Sequence, residues 1–269
     1  KEILQDVKLY GDERRCKLVQ RDAASAMSED DFIPSTPVTV ILSKMGWVRA
    51  ASGSDIDAAS MSYRSGDKFL SKASGKTNEQ ASFITNKGRV YTVDIKDLPS
   101  ARGQGEPLSA KASLQAGENA CHVVIGRKDN QFVVATDKGY GFITKGTDLQ
   151  TRNKAGKALI TCDDDAVILQ PLQVCDLETD CLAVASKSGR LLIYKLTQLP
   201  SLAQGKGNKL MNINGAKLDL KVDGIAAMAI LPSGSSMIIH CGKRVINLSA
   251  QEIEQRISER TKAGDLLPR

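Results

Sequence analysis

Gln-Phe-Val-Val-Ala-Thr-Asp-Lys-Gly-Tyr-Gly-Phe (131–142) reads as an apolar strand, a turn holding a lysine and a glycine, and a second apolar strand. The flanking runs are short and rich in Val, Ile and Leu, which suits strands better than helices. The glycine belongs where the backbone of a hairpin turn takes positive φ. The same phrase returns as Val-Thr-Val-Ile-Leu-Ser-Lys-Met-Gly-Trp-Val-Arg (38–49) and Ala-Ser-Phe-Ile-Thr-Asn-Lys-Gly-Arg-Val-Tyr (81–91). It returns again as Cys-Leu-Ala-Val-Ala-Ser-Lys-Ser-Gly-Arg-Leu-Leu (181–192) and Ser-Met-Ile-Ile-His-Cys-Gly-Lys-Arg-Val-Ile (236–246). The five glycines, Gly46, Gly88, Gly139, Gly189 and Gly242, are 42, 51, 50 and 53 residues apart. Self-similarity at this period marks a propeller-like array, because one such unit cannot bury its apolar face alone. The expectation is an all-β fold: one ring of five blades over residues 38–269, with residues 1–37 as a helix end and a linker.

With 41% apolar residues, the 269-residue chain has material for a sizeable core. It holds no apolar run of about 18 residues, so no membrane span is expected. A secretory signal is not seen either, but the chain opens on Lys1 rather than Met and reads as a fragment. Six cysteines (Cys16, Cys121, Cys162, Cys175, Cys181, Cys241) lack any Cys-x-x-Cys pair and are read as reduced, mostly buried thiols. His122 and His240 adjoin Cys121 and Cys241, and adjacent strand side chains face opposite ways, so no metal site is expected.

Ile3, Leu4 and Val7 share one helical face, and Gly11 is a plausible stop. Residues 11–37 are polar and mixed, as in a linker or strap. Ser249-Ala-Gln-Glu252 resembles a capping box and predicts a helix over 249–260, with shorter turns at 96–98 and 197–199. The net charge of +6 is uneven. Residues 1–31 hold six Lys/Arg against eight Asp/Glu, whereas residues 32–269 hold 31 against 23. The repeats are the basic part, which points to a polyanionic partner.

Two sets of basic residues recur with the repeat. Lys44, Lys87, Lys138, Lys187 and Lys243 lie within two residues of the repeat glycines, and Arg49, Arg89, Arg190 and Arg244 follow. Glycine-rich basic loops come later in each copy: 101–108 with Arg102; 152–159 with Arg152, Lys154 and Lys157; 204–210 with Lys206 and Lys209; and 261–267. The first copy offers only Tyr-Arg-Ser-Gly-Asp-Lys-Phe (63–69), with Arg64 and Lys68. Backbone N–H groups of such loops can approach a phosphate, and their cations can neutralise one. Singly, each lysine is better explained as a solvated turn residue that blocks edge pairing. Together they favour a phosphate track.

Other chemistries find little support. A Walker A loop is absent, and Gly103-Gln-Gly105 lacks the third glycine of a dinucleotide site. Aromatics make up only 4%, too few for a base-stacking platform, so duplex phosphates are the better target. Asp163-Asp164-Asp165 could suggest magnesium, but adjacent carboxylates diverge and a solvated loop is expected.

Several stretches carry a family resemblance. These are Lys-Glu-Ile (1–3), Tyr-Gly-Asp-Glu-Arg-Arg (10–15), Val-Ile-Leu-Ser-Lys-Met-Gly-Trp-Val-Arg (40–49), Gly53-Ser-Asp-Ile-Asp57, and the loops 98–108, 152–159 and 205–209. Over essentially its whole length the chain resembles the C-terminal domain of the A subunit of bacterial DNA topoisomerase IV, within the gyrase A C-terminal-domain family. The resemblance implies a five-bladed β-pinwheel whose blades exchange strands. It also implies a non-catalytic domain that binds and bends duplex DNA for an ATP-dependent type IIA topoisomerase, an isomerase that decatenates replicated chromosomes and relaxes supercoils. The implied partners are DNA and the B subunit, in a heterotetramer formed through the enzyme core. ATP and magnesium are implied for the holoenzyme and no cofactor for this domain.

The implied location is cytoplasmic and chromosome-associated, with the holoenzyme peripheral at the inner membrane. The family's active-site tyrosine follows an arginine; none of Tyr10, Tyr63, Tyr91, Tyr140 or Tyr194 does. Gyrase carries a Gln-Arg-Arg-Gly-Gly-Lys-Gly box in its first blade, and this chain has no such string, so partial bending is expected rather than a full wrap. The alternative is a protein-interaction propeller that docks, for example, a condensin-type partner. A hydrolase on a propeller scaffold would need converging acid, base or metal groups that two histidines do not provide.

Overall fold

Hairpins form wherever the repeated phrase occurs. In the computed structural model, residues 1–12 and 35–267 are described; Cys16 and most of the expected linker lie outside the described residues. The chain divides into two units, Lys1–Ile33 and Pro34–Arg269. In the first, α1 (Glu2–Tyr10) ends at Gly11, which takes an ordinary extended conformation (φ −71°) and not the left-handed one. Ile3, Leu4 and Val7 are exposed within that unit.

In the second unit the first hairpin is β1 (Pro37–Ser43) and β2 (Trp47–Ser52), joined on the far side of β1 by β3 (Phe69–Lys76). The second is β4 (Gln80–Thr85) and β5 (Arg89–Asp94), followed by the two-residue β6 (Glu106–Pro107) and then β7 (Ala120–Ile125). β7 completes its own blade against β4, but β6 pairs backwards with β2, Trp47 opposite Pro107. The pattern repeats with β8 (Gln131–Ala135), β9 (Tyr140–Lys145), β10 (Lys157–Ala158) and β11 (Leu172–Val174). It repeats again with β12 (Cys181–Ser186), β13 (Arg190–Lys195), β14 (Asn208–Lys209) and β15 (Ile225–Leu231). The fifth hairpin is β16 (Met237–Cys241) and β17 (Arg244–Leu248), followed by β18 (Asp265–Leu266). β10 pairs with β5, β14 with β9 and β18 with β13, so each short strand completes the blade before its own. Four blades are thereby four-stranded and the fifth is a two-stranded hairpin.

The first four turns share one design. The amides of Gly46, Gly88, Gly139 and Gly189 donate to Ser43, Thr85, Thr136 and Ser186, and each glycine has φ between 74° and 87°. That is a type I turn closed by a left-handed glycine. The fifth turn is shorter, with Gly242 (φ 62°) first of two loop residues.

The core lies between blades. Val40, Leu42 and Val48 pack with Phe83, Tyr91 and Val123; Ile84 and Val90 pack with Phe132, Val134 and Phe142. Val133 and Ile143 pack with Leu182, Leu192 and Tyr194; Ala183 and Ile193 pack with Met237 and Ile246. Burying one such large side chain is worth about 1.5–3 kcal/mol, so each blade is held mainly by its neighbours. Among the described residues no core cluster joins the first and fifth blades. Blade 1 instead covers Ile41 and Ala51 with Ile56, Met61 and Tyr63 from the loop after its own β2.

The predicted C-terminal helix is α4 (Ala250–Arg256), shorter than the expected 249–260 but with the capping box between Ser249 and Glu252 in place. Two further helical turns, α2 (Gly146–Leu149) and α3 (Gly215–Asp219), were not expected, although Asn214 caps α3 by accepting from the Ala216 amide. The thiols depart from expectation: of those described, only Cys181 is buried, and Cys175 and Cys241 are exposed.

Candidate nucleic-acid interface

Turns and basic loops meet at one edge of each of the first four blades. The carbonyls of Gly46, Gly88, Gly139 and Gly189 accept from Leu108, Leu159, Leu210 and Leu267, each of which stands just beyond an exchange strand. The lysines of the first four turns, Lys44, Lys87, Lys138 and Lys187, therefore lie beside a basic loop from the following repeat. In blade 3 the meeting is direct: Lys138 of the turn and Lys206 of the loop reach the same carboxylate, Asp163, at 3.7 and 3.8 Å.

The loop glycines have a different task from the one expected. Gly105, Gly156, Gly207 and Gly264 each precede an exchange strand with φ between 66° and 91°. A Cβ there would stand 2.4–2.8 Å from the carbonyl oxygen of Val48, Val90, Gly141 or Leu191. They are glycines because strand meets strand, and phosphate approach is not needed to explain them. Gly66, the glycine of the first copy's 63–69 loop, is not their counterpart: it stands before β3, the outer strand of its own blade, as Gly117 stands before β7, and neither has anything within 4 Å of a would-be Cβ (φ 82° and 78°).

Arg49 is corrected by its burial: it is 4% exposed. It stands three residues past the turn glycine, where Tyr91, Phe142 and Leu192 are buried in the other blades. Its guanidinium donates to the carbonyls of Gly103 and Ser62 at 3.1 and 3.0 Å and lies 4.7 Å from the Tyr63 ring centre, so it ties a loop and is not free for phosphate. Arg89 and Arg190, one residue past the glycine, latch the next repeat's loop. Arg89 donates to Ala155 and Gly156 and faces the buried Glu118 carboxylate at 3.6 Å, too long for a hydrogen bond; Arg190 donates to Gly264. In the other two complete blades that position is aromatic and a cation covers it, Arg64 over Trp47 at 4.0 Å and Lys206 over Tyr140 at 4.7 Å.

Lys44, Lys68, Lys87, Arg102, Arg152, Lys154, Lys187, Lys209, Lys243 and Arg244 are exposed, and Lys138 and Lys157 are half-buried. Lys243 and Arg244 belong to the fifth turn, apart from the exchange-loop pattern.

The Asp163–Asp165 run is not merely solvated. Asp164 accepts from Lys87 at 2.7 Å; Asp165 pairs with Lys138 and, at 3.6 Å, with Lys221. These hydrogen bonds push the Lys87 and Lys138 ammoniums above, and the Asp164 and Asp165 carboxyls below, their ordinary ranges. Sequence reasoning missed Lys221, which stands at φ 56° just after α3 and reaches the run only through the fold. Among the described residues no group of three or more His, Cys, Asp and Glu is arranged to hold a metal, and no helix is long and apolar enough to cross a membrane.

A profile for the family described as "DNA gyrase C-terminal domain, beta-propeller" matches residues 82–118, 130–175 and 182–231, the span of the second to fourth blades. A solved structure titled "Structure of the E. coli ParC C-terminal domain" superposes with TM-score 0.77 at 42% identity, covering 87% of this chain and 94% of that one. The chain belongs to the gyrase A C-terminal β-propeller family, among its topoisomerase IV A-subunit members. It is 44% identical over 268 residues to the DNA topoisomerase 4 A-subunit of Pseudomonas aeruginosa, covering 100% of this chain and 36% of that relative. Against the Escherichia coli K12 counterpart it is 43% identical over 267 residues, covering 99% and 35%. The domain thus spans about a third of the length of the curated relatives it matches. A structure titled "Structure of DNA gyrase A C-terminal domain" shares the fold at TM-score 0.63 and 16% identity.

Proposed function

We propose that this domain binds duplex DNA along the edge where turns and exchange loops meet, and that it bends and presents DNA for a topoisomerase without performing chemistry itself. One observation supports the reading most: the fold repeats the same junction of turn and basic loop in consecutive blades, so cations scattered in sequence recur at one edge. Such contacts address phosphates and carry no base information, so binding is sequence-tolerant. Strand cleavage and pairing with a B subunit belong, in this reading, to the remaining two-thirds of the longer protein; ATP is bound by the B subunit, and magnesium belongs to the holoenzyme outside this domain.

The test is a duplex titration followed by fluorescence anisotropy at several salt concentrations. Affinity should fall steeply with salt, with a log–log slope of about −0.9 per phosphate neutralised. Replacing Lys154, Lys157 and Lys209 together by Glu should weaken binding alike on unrelated sequences. A flat salt response, or unchanged affinity in that variant, would remove the proposal.

A further inference from the structure

The proposed DNA edge is already occupied by the chain's own anion. The run Asp163–Asp165 supplies three carboxylates that engage Lys87 from the second turn, Lys138 from the third, Lys206 from an exchange loop and Lys221 from beyond α3. Four cations from three repeats thus converge on three consecutive residues. Asp163 lines a recess of about 230 Å³ together with Lys138, Tyr140, Lys206 and Lys209, and the Lys138 side chain is only 21% exposed beneath its partners. A phosphate at Lys138 would compete with both carboxylates for the ammonium.

The run is also held in place. Asp163 accepts from the amide of Ala166 in a tight turn. The next residue, Val167, is clasped to the third hairpin turn twice: it donates to the Asp137 side chain at 2.8 Å and accepts from the Asp137 amide at 2.8 Å. The carboxylates are therefore delivered to the lysines by the backbone of the same blade, at little cost in chain entropy. Exposed ion pairs are individually weak and screened by salt, so a competing polyanion of high charge density can replace them.

We infer that Asp163–Asp165 is an internal phosphate surrogate: it occupies the lysines of the second to fourth blades in free protein and is displaced when duplex DNA lies along the rim. This inference rests on the proposed DNA-binding role. It makes the rim self-competing, so that only a partner with several closely spaced phosphates gains full access, and isolated anions are held off.

The experiment compares duplex affinity of three forms of the chain. One is unaltered. One carries Asp163→Asn, Asp164→Asn and Asp165→Asn. The third loses the same formal charge at exposed acids away from the lysine cluster: Asp55→Asn, Asp97→Asn and Asp129→Asn. The run variant should bind short duplex on the order of tenfold more tightly at low salt, with the gain shrinking as salt rises. The control should gain less than about twofold. If the triple run variant folds poorly, Asp164→Asn alone serves, because that side chain is 92% exposed and its loss frees Lys87. A run variant that gains no more than the control overturns the surrogate while leaving the DNA role intact, provided the unaltered chain binds. Failure of all three forms to bind removes both. Binding by the run variant alone would uphold the surrogate in its strongest form.

Discussion

At the residue scale, Arg49 shows how one position decides between structure and binding. Counted from the turn glycine it falls at the third place, which in three other blades is a buried Tyr91, Phe142 or Leu192. That alternation was present in the sequence, but grouping arginines by nearness to the glycine concealed it. Arg89 and Arg190 stand at the first place and Arg49 does not. A buried guanidinium with two carbonyl partners is costly to remove, because the carbonyls of Gly103 and Ser62 lose their donors. Arg49→Met should therefore lower unfolding free energy by about 2–3 kcal/mol in urea denaturation. The salt slope of duplex binding should stay the same, since no phosphate contact is lost. A changed slope with unchanged stability would return Arg49 to the rim. The lattice around Asp163–Asp165 was not legible in this way. Its members lie far apart in sequence, at 87, 138, 163–165, 206 and 221, and only the blade junctions bring them together.

At the element scale, the exchange strand organises the domain. Four two-residue strands stitch consecutive blades, and each depends on one glycine pressed against a neighbour's carbonyl. The glycine-rich loops were visible in the sequence, but their reason was not, because pairing with the preceding blade is a non-local fact. Two substitutions separate strain from collision. Gly46 has φ 78° and open space around it, so Gly46→Ala meets only the left-handed penalty of about 1–2 kcal/mol. Gly207 has φ 76° and a would-be Cβ 2.4 Å from the Gly141 oxygen, where backbone must move. Gly207→Ala should cost at least about 2 kcal/mol more than Gly46→Ala, measured as the difference in denaturant midpoints at constant m-value. Equal costs would mean that the exchange strand does not press on β9. The helix at the C-terminus was legible because its signal is local: Ser249 and Glu252 satisfy each other's orphan donors within one turn.

At the scale of the whole molecule, apolar clusters link blade to blade from first to fifth, and among the described residues none links fifth to first. Periodicity revealed the number of blades but not this asymmetry, since ring closure depends on which faces meet. The fifth hairpin has only two strands, and Ile238 and Val245 are exposed on it. Amide exchange should therefore be faster in β16 and β17 than in β8 and β9, by about tenfold or more, when followed by mass spectrometry. Equal protection would indicate that the fifth blade is covered in solution.

Lysine-modification footprinting reads, residue by residue, which edge of the blades meets DNA. With saturating duplex at low salt, Lys87, Lys138, Lys154, Lys157, Lys206 and Lys209 should be protected. Lys145 and Lys195, exposed at the opposite ends of β9 and β13, should react as in free protein. Protection of Lys145 and Lys195 with continued reactivity at the turns and exchange loops would contradict the account.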